Sequence, residues 1–87
     1  MRSEVPGTIT VRLFARYAEI VGREVVTLSL PGPATVADVV HRVRAELPGA
    51  IDLPERPLAA VNLRQVGLNE QVVEGDEVAL LPPLAGG

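Results

Sequence analysis

Only one stretch of this chain, Thr35 to Leu47, repeats with a helical period long enough to bury a face, and that limits what the rest can become. At about 100° per residue, Val36, Val39, Val40, Val43 and Leu47 fall within a stripe about 100° wide. Thr35-x-x-Asp38 is a capping-box variant, with Asp where Glu or Gln is preferred. Asp38 and Arg42 stand four apart on the outer side and are expected to pair, for about 0.3 kcal/mol. His41 points to the same solvated side and reads as a surface residue. Pro48-Gly49 ends the helix, because the residue before a proline is pushed out of the α region.

The remaining apolar residues alternate instead. Thr8 to Leu13 places Ile9, Val11 and Leu13 on one face, and Glu24 to Leu30 does the same with Val26, Leu28 and Leu30. Arg16 to Val21 is long enough for a short helical turn closed by Gly22 in the left-handed region, so the two runs form an antiparallel pair. After the break at Pro31-Gly32-Pro33 and the helix, Ala50 to Pro57 reads as an irregular connection. Leu58 to Asn62 is a third strand, expected to be buried on both faces, and Leu63 to Val66 a fourth after a tight turn at Asn62. Leu68 and Val72 are expected to pin a loop, Glu74-Gly75-Asp76 turns, and Glu77 opens the last strand, with Val78 and Leu80 inward. The result is an α+β fold, a mixed sheet of four to five strands packed on one main helix. One helix leaves the other sheet face bare, so Phe14, Ala79 and Leu81 would form an outward apolar patch of the kind that marks a partner site. The alternative is that loop 48–57 covers it.

The composition excludes several functions. Eighty-seven residues make one domain that buries roughly 60–65% of its unfolded surface. The divisions expected are a loose lead-in over 1–7, the domain over 8–81 and a tail over 82–87. There is no cysteine, so no disulfide, thiolate metal site or thiol nucleophile, and one histidine cannot make a metal site. A net charge of −3, a pI near 5.0 and eight scattered cations, all Arg, argue against a nucleic-acid surface. Phe14 and Tyr17, the only aromatics, make no base-stacking platform. With no signal-peptide core and no apolar run near the ~18 residues that a membrane span needs, a cytoplasmic location is expected. Asp76 and Glu77 are adjacent on a strand and face opposite ways, Ser3 and Ser29 have no nearby His, and no phosphate loop occurs.

What is chemically distinctive is the end. Val78 to Leu81 runs into Pro82-Pro83, which fix φ and donate no hydrogen bond, so the chain leaves the sheet extended. Leu84-Ala85-Gly86-Gly87 then closes the sequence, and we expect this to be the chain's own carboxyl terminus, free until bound. Gly86 and Gly87 carry no Cβ and fit a channel too narrow for other residues. The terminal carboxylate needs no side chain to be reactive.

These features together resemble the small, sulfur-carrying subunit of molybdopterin synthase, the MoaD family, over residues 8–87. The residues that carry the resemblance are Leu13-Phe14-Ala15, Glu19-x-Val21-Gly22, Thr35-Val36, Ala60-Val61-Asn62, Gly75-Asp76-Glu77-Val78 and Leu81-Pro82-Pro83-Leu84-Ala85-Gly86-Gly87. Two positions depart from the family pattern. Leu63 stands where Gly often follows Asn62, which predicts an altered turn, and Leu81 stands where an aromatic often precedes the prolines.

The resemblance implies a β-grasp (ubiquitin-like) fold and a sulfur-carrier role. An E1-like adenylating enzyme would use ATP to activate Gly87, and sulfur transfer would convert it to a thiocarboxylate. The tail, with Pro82, Pro83, Leu84 and Gly86, would enter the large synthase subunit in a heterotetramer and deliver sulfur to a pterin precursor. Phe14, Ala79, Leu81 and Leu84 would meet the partner. The chain itself would bind no cofactor or metal, because ATP and the sulfur donor belong to the partners. Other readings stay open: a sulfur carrier for thiamine thiazole, tRNA thiolation or cysteine, a ubiquitin-like protein modifier, or an interaction module with an inert tail.

Overall fold

The two alternating runs pair as their pattern requires. Strands β1 (Gly7–Leu13) and β2 (Val25–Leu30) are antiparallel, with Val11 opposite Val26 and Ile9 opposite Leu28. This is a computed structural model, describing residues 7–31 and 33–83. Residue 32, the lead-in residues 1–6 and the tail residues 84–87, among them Leu84, Gly86 and Gly87, lie outside the described part, so the expectation that the tail is free has no described residue behind it. Gly7, expected to be loose, is already in β1.

In order, the chain continues through α1 (Arg16–Val21), β3 (Ala34–Thr35), α2 (Val36–Glu46), β4 (Leu58–Val61), β5 (Arg64–Val66), β6 (Gln71–Val72) and β7 (Glu77–Leu81). The main sheet has five strands in the order β2-β1-β7-β4-β5. The last strand therefore sits at the centre, parallel to β1 and antiparallel to β4. Registration aligns Val26, Val11, Val78 and Val61 in one rank, and Leu13, Leu80, Ala59 and Val66 in the next. Helix α2 covers these ranks with Val36, Val39, Val40 and Val43, all buried. This is the β-grasp arrangement of one helix across a mixed sheet.

The start of α2 shows why the expected Asp38–Arg42 pair does not form. Asp38 Oδ2 accepts from the Thr35 backbone N–H at 2.9 Å, and the Thr35 hydroxyl accepts from Asp38 N at 3.3 Å. A carboxylate on a backbone N–H at a helix N-terminus outcompetes an exposed ion pair. Arg42 instead pairs with Glu46 at 3.2 Å and donates to the Ser29 carbonyl of the edge strand β2. His41 is exposed, as expected.

Two connections are more structured than the sequence suggested. The loop around Leu68 and Val72 contains β6, which pairs with β3 in a separate two-stranded sheet. From that loop the carbonyls of Glu70 and Leu68 accept from Val36 N and Ala37 N, satisfying donors of the first turn of α2. Ala50 to Pro57 contains a 3-10 turn (Ala50–Asp52), with Ala50, Leu53 and Pro57 buried. Arg44 ties it down, its guanidinium donating to the carbonyls of Leu53 at 2.9 Å and Ile51 at 3.2 Å. This loop packs on α2 and α1, on the helical side of the sheet, and the outer face keeps Leu58 42% exposed. Strand β4 is thus buried on its inner side and only in part on its outer one, because among the described residues no helix lies on that side.

The hairpin turn departs from expectation in the other direction. Leu63 was expected to alter it, yet Asn62 and Leu63 both take positive φ, 49° and 74°, and form a two-residue connection between β4 and β5. Positive φ at both residues is what a tight right-twisted hairpin demands. Asn62 is locked by its surroundings. Its Nδ2 donates to Asp76 Oδ1 and its Oδ1 accepts from Glu77 N, both at 2.9 Å, while its backbone N–H donates to Glu77 O at 2.8 Å. The ladder and this clamp hold the turn, and Leu63 bears the strain while 91% exposed.

Leu63→Gly should therefore raise stability by about 0.5–1 kcal/mol. It relieves roughly 1–2 kcal/mol of left-handed strain against the roughly 0.5–1 kcal/mol of extra chain entropy that glycine loses on folding. A shift of the urea midpoint to higher concentration at constant m-value checks this; a lower midpoint refutes it. Tyr17, 4% exposed, has its phenol pushed above the ordinary 10.0 by burial, against the opposing charge of Arg16. The unfolded state then loses its proton first, so stability is constant below about pH 9 and falls as pH rises through about 10 toward the folded value. Tyr17→Phe should abolish that alkaline loss, as urea titrations at about pH 8 and about pH 11 would show.

Candidate functional site

The site is built where β7 leaves the middle of the sheet. Val78 and Leu80 are 0% and 1% exposed, so the strand is anchored in the core up to the residue before Leu81. β7 ends at Leu81, and Pro82 is half-buried and Pro83 exposed; the expected division between domain and tail falls against residues 84–87, which lie outside the described part.

A groove of about 640 Å³ opens beside this exit, lined by Arg16, Tyr17 and Ile20 of α1, Asp52 and Pro54 of the 50–57 loop, and Pro82 and Pro83. Local sequence shapes both walls. Ala15 takes φ 50° and ψ −123° to turn the chain out of β1, and Gly22, at φ 83°, closes α1 with its N–H on Ala18 O at 2.7 Å. On the opposite wall Gly49 has φ 80° and lies so close to α1 that a Cβ there would come 2.8 Å from the Ile20 carbonyl oxygen. Only glycine satisfies both conditions.

The second part of the site is the outer sheet face. Leu81 is opposite Leu58, and Ala79 is flanked by Ala60 on one side and Arg12 on the other. Phe14 follows Leu13, whose partner in β7 is Leu80, so it stands one step beyond the β1–β7 ladder and is 41% exposed. The structure brings Ala79 and Leu81 together on one strand and sets Phe14 at the end of the neighbouring one, where it lines a hollow with Arg12, Ala18, Glu19 and Glu24. Leu58, Ala60 and Val25 also belong to this face, and the sequence reading missed them. Leu58 and Ala60 were hidden by an apolar run that looked buried on both sides, although alternate positions within it gave the signal. Gly87, Gly86 and Leu84, the proposed reactive end and its neighbours, lie outside the described residues.

Charge does little here. Arg12 pairs with Glu77 across the outer face, and Arg64 pairs with Glu70 at 3.2 Å at the far edge. Both are solvent-exposed, and such pairs contribute about 0–1 kcal/mol. Among the described residues there is no group of three or more His, Asp or Glu placed to hold a metal, and no helix long and apolar enough to cross a membrane. The described part thus sets a half-exposed apolar sheet face and a groove beside the residues that lead into Pro82-Pro83.

Known proteins share this arrangement. The ThiS family profile matches residues 11–87. The human molybdopterin synthase sulfur carrier subunit is 32% identical over 82 residues, covering 91% of this chain and 93% of that protein. The crystal structure of small archaeal modifier protein 1 from Haloferax volcanii superposes with a TM-score of 0.77 at 29% identity, covering 90% of this chain and 99% of the other. At the level of fold, a subunit in the complex of subunits 1 and 2 of molybdopterin-converting factor from Helicobacter pylori matches with a TM-score of 0.62 at 23% identity, over 92% and 99% of the two chains. With its sheet order, its central last strand and its Pro-Pro-x-x-Gly-Gly end, this chain belongs to the ThiS family of ubiquitin-like sulfur carriers.

Proposed function

We propose that this protein carries sulfur on Gly87 for molybdopterin synthesis, as the small, non-catalytic subunit of a molybdopterin synthase. The observation that carries this reading is the placement of Pro82-Pro83-Leu84-Ala85-Gly86-Gly87 directly after the central strand of a ThiS-family domain. A carboxylate with a pKa near 3.5 is ionised at neutral pH and is a poor electrophile. The chemistry follows in two displacements. A Gly87 carboxylate oxygen attacks the α-phosphate of ATP on an E1-like adenylating enzyme, and pyrophosphate leaves. A hydrosulfide-level sulfur nucleophile then attacks the acyl carbon, the bond from that carbon to the AMP oxygen breaks, and AMP and a proton leave, which produces a C-terminal thiocarboxylate.

The domain's own part is positioning. Pro82 and Pro83 limit the conformations the tail loses on insertion, which lowers the ordering cost of binding. Phe14, Ala79 and Leu81, with Leu58 and Ala60 beside them, form the surface for the large subunit, and Leu84 and Gly86 follow into its channel. The relative described as a subunit complex supports a partner of this kind. The small archaeal modifier supports the second reading, attachment of Gly87 to amines of other proteins, and the absence of lysine here restricts that reading to single attachment.

Intact-mass measurement of protein from its native host separates the two. The mass gain of one oxygen-to-sulfur exchange is expected for the carrier, and isopeptide-linked conjugates would overturn it in favour of the modifier. One alanine appended after Gly87 should abolish sulfur loading; unchanged loading would sink both readings. Phe14→Ala and Leu58→Ala should each weaken binding of the large subunit by about 1–2 kcal/mol, while changing stability by less than about 0.5 kcal/mol.

A further inference from the structure

The two edges of the five-stranded sheet, β2 and β5, are not alike. β5 has three residues, and because Asn62 N–H bonds toward β7, the pairs Val61–Arg64 and Ala59–Val66 exchange the bonds of the β4–β5 ladder. Within β5 that leaves Gln65 alone with its backbone groups turned outward. β2 has six residues. The bond from Leu13 N–H to Glu24 O at 2.8 Å sets its phase against β1, so Val26, Leu28 and Leu30 bond inward while Val25, Thr27 and Ser29 face the open side.

A row of this kind is a template for another strand, and proteins blunt it with lysine, proline, a bulge or a short edge. Residues 25–30 contain no lysine and no proline, and their register with β1 runs unbroken. Among the described residues one hydrogen bond caps the row: Arg42 Nη1 of α2 donates to Ser29 O at 3.2 Å. Arg42 is available because Asp38 is taken by the capping box, and Glu46 holds the same guanidinium nitrogen at 3.2 Å.

We propose that the β2 edge is a self-association site for a second copy of this chain, and that Arg42 is the guard that keeps it closed. The strand is complementary to itself. Antiparallel pairing about Thr27 sets Thr27 opposite Thr27 and Val25 opposite Ser29 on the outer face, and Val26 opposite Leu28 on the helical face. Glu24 falls opposite Leu30 and Arg23 opposite Pro31, so no like charges meet. In this ladder Ser29 O of each copy accepts from Val25 N–H of the other. That carbonyl is the one Arg42 occupies, so two-fold symmetry places a guard at both ends of the ladder. The site is on the sheet edge and draws on nothing in the sulfur-carrier reading.

The test follows self-association of the full 87-residue chain by sedimentation equilibrium from about 1 μM to about 1 mM, the span of weak complexes. Arg42→Ala should dimerise at least about tenfold more tightly than the parent, because the charged donor no longer competes for Ser29 O. Arg64→Ala removes the same charge at the β5 edge and should behave as the parent. Adding Thr27→Pro to Arg42→Ala should restore the parent's behaviour, since the Thr27 N–H points away from β1 and its loss removes no bond of the monomer's ladder. Circular dichroism verifies each fold. Where the proline variant fails to fold, hydrogen exchange decides: the Val25, Thr27 and Ser29 amides should gain protection in concentrated Arg42→Ala over dilute, and protection confined to other segments overturns the proposal. A folded Arg42→Ala chain that associates no more tightly than the parent also overturns it, as does equal dimerisation of Arg64→Ala or a dimer that survives Thr27→Pro. If Arg42→Ala stays monomeric yet binds an unrelated extended peptide, the second copy is overturned as the occupant.

Discussion

The placement of β7 between β1 and β4 is the constraint on which the rest depends. A last strand at a sheet edge would present a tail on a structure that frays with it. Here the strand is held by a parallel ladder on one side and an antiparallel ladder on the other, and Val78 and Leu80 are buried under α2. Peeling β7 away would break both ladders and empty the core at once, so the tail root moves only with global unfolding. The scaffold can be small because one strand serves both as the centre of the core and as the base of the segment that begins at Pro82.

The supporting contacts converge on the two ends of that strand. At its start, Asn62 joins the β4–β5 turn to the backbone of Glu77 and to Asp76, whose other carboxylate oxygen accepts from Val73 N at 2.8 Å. At its finish, Arg44 holds the loop that carries Asp52 and Pro54 against the groove, and Gly49 permits the close approach to α1. Apart from the Asn62–Asp76 bond between two side chains, these hydrogen bonds involve backbone groups, which fix geometry in a way that exposed ion pairs do not. The positive-φ backbone at Ala15 and Leu63 sits at the ends of β1 and β4, the two strands that flank β7. Strain is borne where the chain must turn to leave the central strand boxed in.

The periodic parts of the sequence translated into structure because burial acts on them directly. Ile9, Val11, Leu13, Val26, Leu28 and Leu30 alternate because one side of a sheet is covered, and Val36, Val39, Val40 and Val43 repeat because one side of a helix covers it. The positions that went unread depend on partners distant in sequence. β3 and β6 have two residues each and no pattern of their own, and form only because the carbonyls of loop 68–70 meet the start of α2. Asp38 had two plausible partners at helical spacing, and a local backbone donor won. Leu63 showed the limit of residue preference: its φ is set by the ladder on both sides and by the Asn62 clamp, which override its own tendency. Near the candidate site, the end of the last strand at Leu81 was legible because the prolines that follow act locally. The groove beside it was not, since the walls come from three separate segments.

The bare face has a consequence for how such a carrier would cycle. Its outer rank next to the tail is Leu58 and Leu81, with Ala60 and Ala79 in the adjoining rank, and Phe14 stands at the end. These are small contributors beside the Trp, Tyr and Arg that anchor tight interfaces, and an alanine pair adds shape without much area. A surface of this kind favours contacts at the weak, transient end of the range. On the proposed function that weakness is required, because the same face and tail must leave an activating enzyme before meeting a sulfur acceptor. Affinity concentrated in the tail would hinder release after chemistry, whereas affinity divided between a modest patch and a preorganised tail lets each partner engage both and hold neither for long.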